Sequence, residues 1–397
     1  MDVAQALLAQ SRQTTRGRPP RPLPSRQVKA LVTGGAGFIG SHVVDALLAA
    51  GHEVRVLDSL DAQVHDGRPE YLNAAAELIV ADVRDRDALR SALAGVDRVA
   101  HLAAAVGVGQ SMYEIERYTS INALGAAALL EEVIAVRDSI GKLVVASSMS
   151  IYGEGLYRCD AEGVDVSPQT RTAEQLRMRD WEPRCPGCGE SLRAIPTHES
   201  TPITPESIYA IGKRDHEEMV LVTGRAYGIP STALRFFNVY GPRQALSNPY
   251  TGVAAIFSSR LLNGRPPMVF EDGQQSRDFV HVSDIAAAVV AAFEPSVADG
   301  EALNVGTGSP TSVLEVAGVL GRELGIPIDA DVRNVFRAGD IRHCYADIAR
   351  ARDLLGYAPK VTFNDGMREL VGWLSEVTAV DHVDAATEAL EQRGLTI

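Results

Sequence analysis

A glycine-rich turn between a short strand and a helical pattern constrains the fold of this chain more than any other feature. Residues 28–33 (Val-Lys-Ala-Leu-Val-Thr) have the apolar, β-branched character of a buried strand, and apolar positions recur at helical spacing after residue 41. The turn between them has the spacing Gly34-x-x-Gly37-x-x-Gly40. Bare backbone lets a pyrophosphate approach, and the helix start offers free amide groups to that anion. Strand, turn and helix in this order therefore predict a dinucleotide site.

The rest of the first half alternates between strand and helix patterns, which predicts an α/β fold with a doubly wound parallel sheet of the Rossmann type. Further strands are predicted at 53–58, 78–83, 98–104 and 142–148, and the strand at 98–104 runs into a turn of small residues. The first of these ends in Asp58, whose carboxylate can accept hydrogen bonds from a ribose diol and would repel a 2′-phosphate. The sequence therefore favours NAD over NADP, and Asp82 is placed to meet the adenine edge.

The pattern divides the chain into three parts. We expect a flexible tail (1–27), favoured over a partner-binding arm, then an NAD-binding domain (28–240) and a smaller, mainly substrate-binding domain (241–397). A segment from about 154 to 200 loses periodicity and contains three of the four cysteines, which indicates an insertion. A helix over about 278–293 is predicted to pack back on the first domain.

The composition excludes several classes of function. With 51 acidic and 38 basic side chains the net charge is −13, which argues against a nucleic-acid-binding surface. No run of about 18 apolar residues is present, so we expect no membrane span, and the start of the chain has no signal-peptide core. Four unevenly spaced cysteines do not indicate a disulfide scaffold, and a reducing cytoplasm is expected.

A tyrosine and a lysine four residues apart form the candidate catalytic pair. Tyr209-Ala-Ile-Gly-Lys213 begins a helical pattern that runs to about residue 227, so the two side chains share one helix face. A nearby ammonium lowers the pKa of a tyrosine, and we expect Lys213 to make Tyr209 a base near neutral pH. Ser148, at the end of the predicted strand 142–148, is placed to hydrogen-bond the same substrate oxygen.

With these motifs the chain resembles the extended short-chain dehydrogenase/reductase family, in its nucleotide-sugar epimerase and dehydratase branch. The resemblance covers about residues 28–375 apart from the insertion. It rests on the glycine turn, Asp58, Asp82-Val83, Tyr209 with Lys213, and the segments 101–104, 147–153, 235–242, 275–282 and 337–342. It implies an NAD-dependent enzyme that forms a homodimer through helices at about 113–136 and 209–227.

The resemblance also implies which residues contact the ligands. Asn238, Arg277 and Arg337 would hold the nucleotide diphosphate, since guanidinium groups match phosphate oxygens in a two-point fork. The residues expected at NAD are Gly34, Gly37, Phe38, Ile39, Gly40, Asp58, Ser59, Asp82, Val83, Leu102, Ala103, Ala104 and Lys213. The residues expected at the substrate are Ser148, Ser150, Asn238, Arg277, Arg337, Asp340 and Cys344. Cys344 falls where relatives gate the sugar pocket by side-chain size, or it is simply a small buried apolar residue.

Within this branch the sequence favours a 4-epimerase. The 4,6-dehydratases carry an acid pair directly after the strand-end hydroxyl residue, and here Met149 and Ser150 stand there, while the glutamate of the decarboxylating members is also absent. The run 241–253 and the cysteine-bearing insertion are similar to dTDP-L-rhamnose 4-epimerases, so a dTDP-6-deoxyhexose is the expected substrate. The alternatives are an epimerase of a UDP- or GDP-sugar, a reductase of a 4-keto sugar, and a non-catalytic protein that senses NAD.

The insertion contains a possible zinc site. Cys185-Pro-Gly-Cys188 has the form of a zinc knuckle, and Cys159 is a plausible third ligand. For the fourth ligand we expect His198, with Asp160 or Glu162 as substitutes. Metal-free thiols and a redox-active disulfide are the alternatives. The insertion adjoins both Ser148 and Tyr209 in sequence, so it is also a candidate wall of the substrate pocket.

Overall fold

The architecture is known from a computed structural model that describes residues 27–396 apart from 328 and 338. Of the predicted tail, residues 1–26 lie outside the described residues. The strands are β1 (Lys29–Thr33), β2 (Glu53–Asp58), β3 (Glu77–Val80), β4 (Arg98–His101), β5 (Lys142–Ser148), β6 (Tyr157–Cys159), β7 (Val164–Val166), β8 (Arg193–Ala194), β9 (Ser231–Phe236), β10 (Asn238–Tyr240), β11 (Met268–Val269), β12 (Ser276–His281), β13 (Ala302–Val305), β14 (Pro310–Ser312), β15 (Asp331–Val332) and β16 (His343–Cys344).

Helices alternate with these strands through the first half and predominate near the end. They are α1 (Phe38–Ala49), α2 (Arg86–Leu93), α3 (Val108–Ser111), α4 (Ile115–Thr119), α5 (Gly125–Ala135), α6 (Ala173–Arg177), α7 (Ile208–Tyr227), α8 (Val253–Leu262), α9 (Val282–Ala292), α10 (Val313–Leu324), α11 (Ala349–Leu355), α12 (Phe363–Leu374) and α13 (Val383–Glu391). A π-helical turn at Ser120–Leu124 joins α4 to α5. Among the described residues, no helix combines the length and apolar character needed to cross a membrane.

Seven parallel strands form the central sheet, in the order β13-β9-β5-β4-β1-β2-β3. Alternate residues of β1 enter two different cores: Val32 packs with α1 and α9 on one face, and Leu31 packs with α2 and α5 on the other. This two-sided burial explains why the strand is a continuous apolar run. Strand order reverses between β1 and β4, so their carboxyl ends open a crevice. The predicted doubly wound sheet is confirmed.

A second, smaller sheet in the C-terminal part contains β10, β12, β14 and β16. Its core packs against α8, α10 and α12. The predicted helix over 278–293 starts too early, because residues 276–281 are strand β12, paired on both sides. The Asp278 carboxylate accepts hydrogen bonds from the amides of Thr307 and Gly308 at 2.7 and 2.8 Å. These bonds fix β12 to the loop that follows β13. Helix α9 does pack against α1.

The insertion folds as a three-stranded antiparallel sheet in the order β7-β6-β8, with α6 beside it. Its base is closed, because Thr204 donates from its amide to the carbonyl of Ile151 (2.9 Å) and from its hydroxyl to that of Tyr152 (2.8 Å). Its far side is attached to the C-terminal part, where Thr197 pairs with Ala346. The insertion is therefore attached at two places.

The last described helix, α13, returns towards the first domain. Asp384 accepts hydrogen bonds from Arg260 (2.7 Å) and Arg265 (2.6 Å), which holds the helix against α8. Beyond the helix, Thr396 forms a backbone bridge with Arg337. The end of the described chain thereby reaches a segment that the sequence assigned to substrate binding.

Candidate functional site

A cavity of about 1230 Å³ lies over the carboxyl ends of the central strands and extends into the C-terminal part. Every residue expected at NAD lines this cavity. The candidate catalytic and substrate residues that also line it are Ser148, Ser150, Tyr209, Lys213, Asn238, Arg277, Arg337 and Asp340. The structure therefore gathers residues from nine separate segments of the sequence, although the contacts expected of each one with a ligand stay predictions.

The glycine turn brings bare backbone to this cavity. Gly34 has φ +70°, and a Cβ added there would lie 2.7 Å from the amide nitrogen of Ala103. A Cβ on Gly40 would lie 2.0 Å from the carbonyl oxygen of Gly34, so no other residue fits the start of α1. Nearby, the Asp58 carboxylate accepts hydrogen bonds from the amides of Ala36 (2.9 Å) and Leu60 (3.0 Å). A bare turn at a helix start beside a fixed carboxylate fits the diphosphate and ribose of NAD.

Ser148, Tyr209 and Lys213 meet at one side of the cavity. Ser148 is the last residue of β5, and its hydroxyl oxygen accepts a hydrogen bond from the Ser150 hydroxyl at 2.9 Å. Tyr209 lies in the first turn of α7, where Ser207 caps the helix, and its hydroxyl lies near that of Ser148. Lys213, one turn later, donates to the Ala146 carbonyl at 3.0 Å. The predicted constellation is therefore assembled.

Burial controls the proton affinities of this constellation. Burial raises the pKa of Tyr209, and the nearby Ser148 hydroxyl only partly opposes this effect. Burial also lowers the pKa of Lys213 to about 7. The expected lowering of the Tyr209 pKa is therefore not found for the chain by itself: loss of hydration on burial is the larger effect, and Lys213 is not among the groups that oppose it.

A buried ion pair, missed in the sequence, joins the two elements that carry the catalytic residues. Glu217 lies on α7, one turn after Lys213, and accepts a hydrogen bond from the Ser147 hydroxyl at 2.7 Å. Arg235 on β9 donates to the same carboxylate at 2.9 Å. Because Ser147 precedes Ser148, this pair fixes the end of β5 relative to α7. A charged residue on a helix face gives no sequence signal for such a contact.

Asn122, also missed, lies in the π-helical turn. Its side-chain oxygen accepts from the Ala105 amide at 2.8 Å, and its side-chain nitrogen donates to the Ala105 carbonyl at 3.1 Å. Its own carbonyl accepts a hydrogen bond from His216 of α7 at 2.8 Å. Asn122 thus connects the cavity loop after β4 to the catalytic helix, and π turns occur often at functional sites.

The residues expected at the diphosphate line the C-terminal side of the cavity. The side-chain oxygen of Asn238 is buried without a hydrogen-bond partner among the described residues, which suits an atom that a ligand would satisfy. The Arg337 guanidinium lies 4.4 Å from the centre of the Phe270 ring and donates to Asp340 at 2.8 Å. Arg277 donates to backbone carbonyls, including that of Ile341 at 2.6 Å.

Two expectations for the substrate pocket are wrong. Cys344 does not line the cavity: it is 1% exposed, with its sulfur 3.7 Å from the Thr197 hydroxyl, so it is a small buried residue. No residue of the insertion over 154–200 lines the cavity either. The insertion instead packs behind the substrate-binding segment, because Arg171 and Glu182 contact residues 340–343.

The sequence also missed the contribution of α13 and the residues after it. Five of their side chains line the cavity: Val383, Ala386, Thr387, Leu390 and Leu395. They add an apolar surface near Arg337. Nothing in the amphipathic pattern of α13 indicates which part of the fold its apolar face covers.

The three cysteines of the insertion come together, but His198 is not with them. The cluster consists of Cys159, Cys185, Cys188 and Glu162, whose ligand atoms all lie within 4.8 Å of one another. His198 instead hydrogen-bonds Ser200 at 2.8 Å. The expected fourth ligand is therefore wrong, and Glu162, one of the two substitutes, takes that position.

The chain is similar to known proteins over most of its length. Residues 30–178 and 187–306 match the NAD dependent epimerase/dehydratase family. The dTDP-L-rhamnose 4-epimerase of Burkholderia thailandensis is 34% identical over 88% of this chain and 95% of its own. The UDP-glucose 4-epimerase of Thermotoga maritima, solved with UDP-glucose, has a TM-score of 0.72 and 31% identity over 88% of this chain and 99% of its own.

A third similar protein was solved with both ligands. The UDP-glucuronic acid 4-epimerase of Bacillus cereus, in complex with UDP-glucuronic acid and NAD, has a TM-score of 0.73 and 27% identity, over 88% of this chain and 99% of its own. The sequence match, the shared fold and the assembled cavity agree. This chain belongs to the NAD-dependent epimerase/dehydratase family, in its nucleotide-sugar epimerase branch.

Proposed function

We propose that this chain is an NAD-dependent 4-epimerase of a nucleotide sugar. One observation carries the proposal: Ser148, Tyr209 and Lys213 share a cavity with the glycine turn, while Met149 and Ser150 stand where a dehydratase has its acid pair. A thioether and a hydroxyl cannot supply the acid and base that elimination of water needs. Oxidation and reduction at one carbon need only the constellation that is present.

The reaction at C4 needs one proton acceptor and one hydrogen-bond donor from the chain. Bound NAD supplies the acceptor of the C4 hydride and its donor in the return step, and its cationic ring favours a phenolate on Tyr209. Tyr209 takes the proton of the 4-hydroxyl, and Ser148 hydrogen-bonds the same oxygen. The 4-keto sugar then turns in the pocket, and Tyr209 returns the proton when the hydride reaches the opposite face. The sum is inversion at C4 without net oxidation.

We propose a dTDP-6-deoxyhexose such as dTDP-L-rhamnose as the substrate. The similarity to the Burkholderia enzyme supports this choice. The run 241–253, which carries part of that resemblance, supplies residues from Gln244 to Val253 to the cavity lining. A UDP-sugar is the second candidate, because the similar solved structures contain UDP-glucose or UDP-glucuronic acid. Asp58 argues against a reductase that uses external NADPH, since a 2′-phosphate would meet its carboxylate.

The test is incubation of the purified protein, without added cofactor, with dTDP-L-rhamnose, UDP-glucose, UDP-glucuronate and GDP-mannose, followed by proton NMR of each sugar ring. Inversion at C4 of dTDP-L-rhamnose alone is the expected result. The Tyr209→Phe variant should retain NAD and lose about 10²–10⁴-fold of the rate, the usual contribution of a positioned base. No inversion in any of the four sugars, with turnover of a 4-keto sugar once NADPH is added, would establish the reductase instead.

We also propose that the protein is a homodimer and acts in a reducing compartment, the cytoplasm. On α7, Ile211 and Val222 are 43% and 55% exposed, and residues eleven apart share one helix face. Leu124, in the neighbouring π turn, is 57% exposed. Such apolar side chains on adjacent helices suit a self-complementary contact. Sedimentation should give a dimer for the native chain and a monomer for Val222→Glu.

All four cysteines are free of disulfide bonds, which suits the reducing cytoplasm.

A further inference from the structure

The insertion contains a cluster of four side chains that the proposed reaction does not use. Cys159 ends β6, and Glu162 lies in the turn that leads to β7. Cys185 and Cys188 lie in the loop before β8, which pairs with β6 on the other side. The β6–β7 hairpin and the loop before β8 therefore bring the side chains of the cluster to the same end of the three-stranded sheet.

We propose that Cys159, Glu162, Cys185 and Cys188 bind one structural Zn²⁺ ion. The inference is independent of the proposed epimerase activity, because none of these residues lines the cavity. Binding releases the protons of the three thiols, and the ion is held by three thiolates and one carboxylate. A set of four protein ligands, three of them sulfur, is characteristic of structural zinc.

The distances within the cluster match a tetrahedral site. Zinc–sulfur bonds of about 2.3 Å and a zinc–oxygen bond of about 2.0 Å imply separations of about 3.8 Å between sulfurs and about 3.5 Å between sulfur and oxygen. The Cys159 and Cys188 sulfurs are 3.5 Å apart, and the Cys185 sulfur is 3.4 Å from a Glu162 oxygen. All four ligand atoms lie within 4.8 Å of one another, so an ion at their centre would draw the more distant ones inwards by up to about 1 Å. The same sulfur separation is far too long for a disulfide bond, which is about 2.05 Å.

The backbone around the cluster is arranged as a support for thiolates. The backbone of Glu162 and Ala161 lies near the Cys159 sulfur, and that of Glu190 lies near the Cys188 sulfur. The loop closes on itself through a hydrogen bond from the Gly189 amide to the Cys185 carbonyl at 2.9 Å. Amide groups directed at ligand sulfurs are the usual outer contacts of such sites.

Gly187 is specifically adapted to the carboxylate. A Cβ added at Gly187 would lie 2.6 and 2.8 Å from the two oxygens of Glu162. A side chain at the second variable position of the Cys-x-x-Cys loop would therefore displace the Glu162 carboxylate. This contact is independent of the distances between the sulfurs, and it places Glu162 directly against the loop that carries Cys185 and Cys188.

The insertion needs such an ion because its own apolar core is very small. The core consists of Tyr157, Cys159, Cys185 and Leu192, and two of these four are ligands. A bound ion would join the β6–β7 hairpin to the loop before β8 and compensate for the missing core. It would also stabilise the nearby segment that carries Glu182, which contacts Arg342 behind the substrate-binding segment.

The test is metal analysis of the protein purified under reducing conditions from zinc-supplemented medium. About one zinc per chain is expected for the native protein. Cys188→Ser should reduce this content at least tenfold, and Glu162→Ala should lose zinc to a chelator faster than the native chain does. The matched control is His198→Ala, which should keep the native content and the native exchange rate.

A second measurement covers the case in which the cysteine variants do not fold. In the native protein a thiol reagent should modify the three cluster cysteines only after a chelator is added, while the buried Cys344 stays unreactive in the folded chain. A native protein without zinc, a disulfide between Cys159 and Cys188, or loss of zinc from His198→Ala but not from Glu162→Ala would overturn the proposal. Failure of the epimerase assay would leave the metal content unchanged.

Discussion

Replacement of Lys213 by methionine should stabilise the folded chain, by an amount that depends on pH. Lys213 is 4% exposed, and burial lowers its pKa from 10.5 to about 7. Because the folded pKa lies below the unfolded one, the charged lysine opposes folding at every pH below 10.5. At pH 6 both states are protonated, and the whole shift opposes folding by about 5 kcal/mol. At pH 9 the folded lysine is neutral, and the penalty falls to about 2 kcal/mol.

The stability advantage of the variant over the native chain should therefore be about 3 kcal/mol larger at pH 6 than at pH 9. Denaturant unfolding of nucleotide-free protein, followed by circular dichroism, measures both differences. Effects of the substitution that do not depend on pH cancel in this comparison. Lys360→Met, which removes an exposed lysine, is the matched control and should show no such change. If the stability advantage of Lys213→Met is equal at pH 6 and pH 9, or larger at pH 9, the argument from burial is refuted.

Three further substitutions test the glycine turn, a buried ion pair and the wall formed by α13. Gly40→Ala should abolish the retention of NAD, because its Cβ would overlap the Gly34 carbonyl. The control is Gly372→Ala, which has open space around it and should retain NAD. The amount of nucleotide released from denatured protein measures the retention in both variants. Arg171→Met should reduce the free energy of unfolding by about 3–5 kcal/mol, since it leaves the buried carboxylate of Glu154 without its guanidinium partner and that of Glu271 with Arg342 alone. Leu390→Ala should raise KM about tenfold with little change in kcat, because it removes apolar surface from the cavity; an unchanged KM would show that α13 does not contact the substrate.

The first domain could be predicted from the sequence because its signals are local. Strand β2 has the predicted bounds, 53–58, and the glycine turn, Asp58 and the Tyr209–Lys213 pair lie together as expected. Each of these features is encoded in a few consecutive residues: a two-sided apolar strand, a turn that only glycine fits, and a four-residue spacing on one helix face.

The features that were wrong or missed depend on residues far apart in sequence. Residues 278–281 continue strand β12 because three other strands pair with it, although their apolar pattern also suits a helix. Histidine is the commoner zinc ligand, so the sequence favoured His198, whereas chain geometry brings Glu162 to the cysteines. The pKa of Tyr209 depends on how deeply α7 is buried, which no spacing reveals.

Because the base of the insertion is closed, the length of the insertion does not determine the positions of Ser148 and Tyr209. The bonds of Thr204 to Ile151 and Tyr152 bring the two ends of the excursion together, so the chain leaves and re-enters the first domain at nearly one point. A loop of any length between these positions would leave Ser148 and Tyr209 where they are, because the entropy of closing a loop changes only slowly with its length. The second attachment, at Thr197 and Ala346, limits this freedom, because the insertion also packs behind the substrate-binding segment.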